Sequence, residues 1–126
     1  MPVNFITDTD GPYFISPYEG IVSEDELLDG WMNFLESEDW IPGTYHLADL
    51  SGADLSDITT ASVRMVASII DEAYREKSLS QVKLALYSPN PGPYGLAIIY
   101  EIFASDAYQT IRLFRYLTEA VSWLEE

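Results

Sequence analysis

Apolar residues along this chain switch repeatedly between a two-residue and a 3.6-residue spacing, and each switch marks a change of element. The runs "VNFIT" and "YFISPYEGIV" are rich in β-branched and aromatic residues. They flank "DTDGP", whose Asp-Gly step is a common hairpin signal, so the chain is expected to open with an antiparallel pair. In "SEDELLDGWMNFLES" the residues Leu27, Leu28, Trp31, Met32 and Leu35 then recur at helical spacing and form the expected buried stripe. Ser23 followed three residues later by Glu26 is the reciprocal capping pattern, and the acids of that first turn suit the helix dipole. "WIPG" closes the element.

The same logic repeats down the chain. "TYHLADL" reads as a strand, followed by a loop and a long helix from about residue 56 to residue 77, with Ile58, Met65, Val66, Ile69, Ile70 and Ala73 as its apolar stripe. "QVKLALYS" is a further strand. "PNPGP" is a rigid turn that places Pro93 at the expected first helical position of "YGLAIIYEIFAS". "YQTIRLF" is the last strand, and Thr118 is the expected cap of the closing helix "EAVSWLEE".

The predicted order is ββαβαβαβα: an α/β fold with a mixed, mostly parallel sheet of about five strands and four helices. Connections this short imply parallel strands joined by right-handed crossovers, with one antiparallel strand from the opening hairpin. Ligands in such sheets sit beyond the carboxyl ends of the strands. The candidate loops are therefore residues 50–57, residues 88–94 and the turn at residues 116–118.

At 126 residues the chain is sized for a single domain, residues 1–126. Hydrophobic residues make up 48%, well above the depleted composition of disordered chains. There is no cysteine, which removes disulfides, thiolate nucleophiles and sulfur-ligated metals and points to a reducing, cytoplasmic setting. "MPVNFITDTDG" carries no secretory pattern, and no apolar run approaches the ~20 residues of a membrane span, so no membrane insertion is expected.

Charge sharpens the picture more than composition does. The net charge is −15. Residues 1–63 hold 13 acids and no base, whereas residues 64–126 hold 8 acids and all 6 bases. Such a field repels phosphate backbones and anionic lipids and favours a protein partner with a basic surface. The bland alternative is that the acids only keep the protein soluble.

The stretch "HLADLSGADLSDITTAS" concentrates candidate chemistry at a strand end. Asp49, Asp54 and Asp57 could converge into an acid/base pair or a hard-cation site. Structural readings outweigh this: Asp54 and Ser56 are N-cap candidates, Asp57 suits a helix dipole, and Ser51-Gly52 is ordinary turn chemistry. His46 is the only histidine, which excludes two-histidine metal sites. A triad of His46 with a serine and Asp49 can be drawn, but His46 falls early in its strand and no G-x-S-x-G elbow exists, so a packed strand histidine is favoured. "PNPGPYG" lacks a P-loop lysine and reads as a turn with a helix cap, and "DTDG" is only a fragment of a calcium loop. No cofactor and no metal site is expected.

Tyr13, Tyr18, Trp31, Trp40, Tyr94 and Tyr100 could line an apolar pocket, with core packing as the default for most of them. Arg112 and Arg115 flank Phe114 and could pair with the acidic half across a homodimer contact.

The element order, together with "GIVSEDELLDGW", "HLADLSG", "YGLAIIYEIF" and "RLFRYLTEAVSWL", resembles the SpoIIAA-like fold of anti-sigma-factor antagonists and STAS domains, in particular its STAS/SEC14-like branch. The resemblance covers nearly the whole chain. Antagonists of that group carry a pattern of the type D-L-S-x-x-x-x-x-D-S-S-G whose serine after the second aspartate is phosphorylated. Asp49, Leu50 and Ser51 match its opening and Asp57 its second aspartate; Ile58 then stands at the phosphorylated serine, Thr59 at the second serine and Thr60 at the glycine.

The resemblance implies a non-enzymatic domain whose exposed loop and adjacent helix contact a protein partner, or alternatively a carrier or sensor of a small apolar ligand or lipid. An enzyme using Asp49, Asp54 and Asp57 is the remaining alternative. The expected contact residues are Ser51, Asp54, Ser56, Asp57, Thr59 and Thr60 on one loop and Asn90 and Tyr94 on the next.

Overall fold

A computed structural model describes residues 3–9 and 11–126. The elements are β1 (Tyr13–Ile21), α1 (Glu24–Glu36), β2 (Tyr45–Asp54), α2 (Thr60–Glu76), β3 (Val82–Tyr87), α3 (Pro91–Phe103), β4 (Gln109–Phe114) and α4 (Leu117–Leu124). The fold is α/β with four helices, as expected. The sheet differs from the expectation: among the described residues it has four strands, all parallel, in chain order β1-β2-β3-β4.

The missing fifth strand is "VNFIT", which meets β1 through only two isolated antiparallel bridges, Val3 with Tyr18 and Ile6 with Ile15. Pro17 explains the interruption. The amide of Asn4 donates to the Pro17 carbonyl at 3.3 Å, but proline has no N–H to return, so the pair between the two bridges is half made. Asp10 of the expected Asp-Gly turn lies outside the described residues.

Helix starts follow local hydrogen bonding. Ser23 and Glu26 form the expected reciprocal cap of α1, each N–H donating to the other's side chain at 3.1 Å. α2 starts later than expected: Thr59, rather than Asp54 or Ser56, accepts from the Ser62 amide at 3.1 Å. The apolar residues Leu55 and Ile58 are buried in the connection and delay the helix. Pro91, not Pro93, opens α3, and Thr118 lies inside α4, whose N-cap is Tyr116.

The buried stripes are rotated from those expected. α1 buries Leu27, Trp31 and Phe34 and leaves Met32 45% exposed; α2 buries Val63, Val66, Ala67, Ile70 and Tyr74 and leaves Met65 exposed. Parallel strands in chain order, joined by crossovers of one hand, place α1, α2 and α3 on one face of the sheet. There they cover Phe14, Tyr18, Ala48, Leu50, Leu84 and Leu86. α4 alone covers the other face, where Ala120, Trp123 and Leu124 close over Tyr13, Leu47 and Ala85. Lys83 fastens it, donating to the Trp123 carbonyl at 3.0 Å.

Because one tryptophan closes that face, Trp123→Ala should cost about 3–5 kcal/mol in urea unfolding. Met32→Ala, on the stripe expected from sequence but exposed here, should stay within about 0.5 kcal/mol. Equal costs would contradict this division of the core.

Candidate functional site

The site is built on the unequal lengths of the strands. β2 leaves β3 at the pair Asp49 and Tyr87 but continues beside β1 through Gly52, Ala53 and Asp54, opposite Glu19, Gly20 and Ile21. Two glycines permit this overhang. Gly20 has φ +65°, and a Cβ on Gly52 would stand 3.2 Å from the Tyr18 carbonyl oxygen, so a side chain there would push the chains apart by a few tenths of an ångström. The overhang ends in Ile21, which is 64% exposed beside Asp54.

Two Asp-x-Ser turns then organise the loop. Asp49 Oδ1 accepts from the Ser51 amide at 3.0 Å and from the Ser51 hydroxyl at 2.6 Å. Asp54 Oδ1 accepts in the same way from Ser56, at 3.0 Å and 2.6 Å. The Ser56 hydroxyl, followed by its amide, holds the Asp54 carboxyl below the usual carboxylate range. Each of these aspartates is thus engaged by the serine two residues on. Leu55, at the centre of the second turn, and Ile58, just after it, are buried in the core, and the Ile58 amide closes on the Leu55 carbonyl at 3.0 Å. What remains in solvent is Ser51, Asp54, Ser56, Asp57, Thr59 and Thr60.

Asn90 joins this loop directly, its Nδ2 donating to the Ser51 carbonyl at 3.3 Å instead of capping α3. Tyr94 turns elsewhere and lies beneath the Arg115 guanidinium, 4.8 Å from the ring centre. Sequence reasoning missed Ile21, and it read Arg115 toward a homodimer contact without anticipating the Tyr94 ring. The Gly20 bend that exposes Ile21 was the one available signal.

His46 is a core residue, 3% exposed. Its Nε2 lies 2.7 Å from Ser16 Oγ, and its ring stacks on Phe14 and meets the edge of Trp31. Burial lowers its pKa to about 3, so the imidazole is neutral. Its hydrogen-bond partner is Ser16 on β1, not Asp49.

His46 also lines an apolar cavity of about 70 Å³ between the sheet and the three helices, roofed by Leu55 and Ile58. Of the six aromatics expected at a pocket, Tyr18, Trp31 and Tyr100 reach it. Trp31 Nε1 donates to the Tyr18 hydroxyl at 2.9 Å, and burial pushes that phenol up to about 12. Tyr13 lies on the other face of the sheet and Trp40 in a groove between α1 and α2. Among the described residues no three His, Asp or Glu side chains gather as a metal site, and no helix is long and apolar enough to cross a membrane.

Comparison of the chain with family models, curated proteins and solved structures finds no match.

The buried imidazole has a consequence for acid stability. Its folded pKa lies below the unfolded value near 6.5, so both states are neutral above pH 6.5. As pH falls, the unfolded chain binds a proton that the folded one refuses, and stability is lost toward pH 3 at about 1.4 kcal/mol per pH unit. Between pH 6.5 and 5 the wild type should lose about 2 kcal/mol more than His46→Phe/Ser16→Ala in denaturant titrations. Parallel profiles would refute the neutral-core assignment.

Proposed function

We propose that the protein is a non-enzymatic interaction domain of the anti-sigma-factor-antagonist type, binding a protein partner through the rim around residues 50–60. The observation that carries the reading is the pair of Asp-x-Ser turns on their Leu55 and Ile58 footing. They hold exposed hydroxyls and carboxylates in fixed positions beside an exposed isoleucine. A surface ordered before contact loses little entropy on binding. Ile21 supplies an apolar anchor, and Glu19, Asp54 and Asp57 supply a negative field that a basic partner would answer. The SpoIIAA-like resemblance assigns partner contact to the same loop. Ile58, at the position of the phosphorylated serine, is buried and carries no hydroxyl, so recognition here is read as constitutive.

Capture from cells of the native host should therefore retrieve a protein with the wild type and lose about nine-tenths of it with Asp54→Lys/Asp57→Lys. Undiminished capture by the reversed form would remove this surface.

A second reading, a sensor of a small apolar molecule, draws on the cavity beneath Leu55 and Ile58. Its 70 Å³ suits a guest of a few heavy atoms rather than a lipid, whose sites run to roughly 300–1,000 Å³. Xenon should shift the NMR signals of Val66, Leu84 and Leu86 selectively in the wild type. Shifts spread evenly over surface methyls would leave this reading without support.

A further inference from the structure

At the opposite end of α2 from the rim, the surface between α1 and α2 opens into a groove of about 680 Å³. Its apolar wall is Met32 and Leu35 from α1, Trp40 from the following turn, and Ile69 and Ala73 from α2. Methionine on such a wall adapts to different apolar partners. Glu36 borders the groove on the α1 side, and Glu72 and Glu76 on the α2 side, with Lys77 at its end.

Two observations say what would cover it. The first is charge. Glu72 is occupied by Arg75, whose Nε donates to it at 3.0 Å, and this is the sole ion pair among the described residues. Glu36 and Glu76 form no ion pair among the described residues, Arg75 being held by Glu72 and only its wider field reaching Glu76, and α1 itself bears five acids and no base. The second is Trp40. It is 6% exposed and stacks on Tyr74, with ring centres 5.9 Å apart, yet its buried indole N–H has no hydrogen-bond partner. Buried tryptophan N–H groups almost always find an acceptor, so an unpartnered donor sealed behind the groove wall is unusual.

We infer that the α1–α2 groove is a docking site for a basic amphipathic helix of a partner protein. The apolar face of that helix lies on Met32, Leu35 and Ile69, and its Lys or Arg side chains reach Glu36 and Glu76. The Trp40 ring, which lines the groove, packs against the same apolar face. The groove flanks residues 68–77 of α2, a span of roughly 14 Å at 1.5 Å per residue, which matches about three turns of a partner helix. This surface is separate from the rim of the proposed function, so each can fail without the other.

The test uses the full chain and a fluorescently labelled 14-residue Lys/Leu peptide with its leucines on one helical face, beside a scrambled peptide of the same composition and charge. Anisotropy titration should show the amphipathic peptide binding at least about tenfold more tightly than the scrambled one. Glu36→Lys/Glu76→Lys should weaken it about tenfold, whereas the rim reversal Asp54→Lys/Asp57→Lys should change it less than about threefold. The Trp40 indole signal should shift in a ¹H–¹⁵N spectrum when the amphipathic peptide is added, because the ring lines the groove. Equal binding of both peptides, an effect of the rim variant as large as that of the groove variant, or an unmoved Trp40 signal would overturn the inference. So would sedimentation showing a dimer that Ile69→Lys dissolves, since a second copy would then be the occupant. The peptide comparison and the Trp40 signal are read on the wild type, so they stand even if a groove variant fails to fold.

Discussion

The arrangement depends on one constraint: four parallel strands laid down in chain order, with every crossover of the same hand, send all three connecting helices to one face. The second face is then left to whatever follows β4. An eight-residue helix does that work, through Trp123 and Leu124 over Leu47 and Ala85. The same order removes the feature on which doubly wound folds rely for ligand binding, a reversal of strand order on either side of a central parallel pair that opens a crevice. No such switch point exists here. Contact surfaces must come from strand overhangs and helix faces, and both the β1–β2 overhang and the α1–α2 groove are of that kind.

The polar groups inside the core reinforce this division. His46 is matched by Ser16, the Trp31 indole by Tyr18, and the Tyr100 hydroxyl by Gln109, which in turn donates to Asp71 at 2.8 Å. Asp71 also accepts from the Ser105 amide, so this chain of bonds ties α2 to the turn between α3 and β4. Each pair meets its desolvation cost by a bond to another element: the first joins β2 to β1, and the other two each fix a helix against a strand. Such groups look catalytic in composition but are consumed in structure. The imidazole illustrates it: it is 3% exposed, bonded to Ser16 and enclosed by Phe14 and Trp31.

Element types were legible because each depends on neighbours within a few residues. The reciprocal cap at Ser23 and Glu26 and the apolar rhythm of every helix are local facts. Errors arose where a distant residue decided the outcome. Met32 and Phe34 both fit a helical stripe, and only the packing of Phe34 against Phe5 and Phe14 selects the second. The N-terminal run has strand chemistry, but Pro17 on its partner withholds a donor. The start of α2 moved because Leu55 and Ile58 are more valuable in the core than as helix. Of the candidate site, the loop and its turn residues were readable, and the Asn90 contact to Ser51, 39 positions away, was not.

Strand order also gives the charge distribution a direction. When strands lie in chain order, position along the sequence becomes position across the sheet, so β1, α1 and β2, which carry no base, lie toward one side and Arg112 of β4 lies at the far edge. A gradient along the chain thus becomes a gradient across the molecule. Its long-range part is screened over about 8 Å at physiological ionic strength, so the field orients an approaching basic partner only in the last steps of encounter. Under the two proposals, discrimination between partners would then fall to the apolar relief embedded in each acidic surface, Ile21 at the overhang and Met32 with Ile69 in the groove. Charge without those anchors would attract any cation equally.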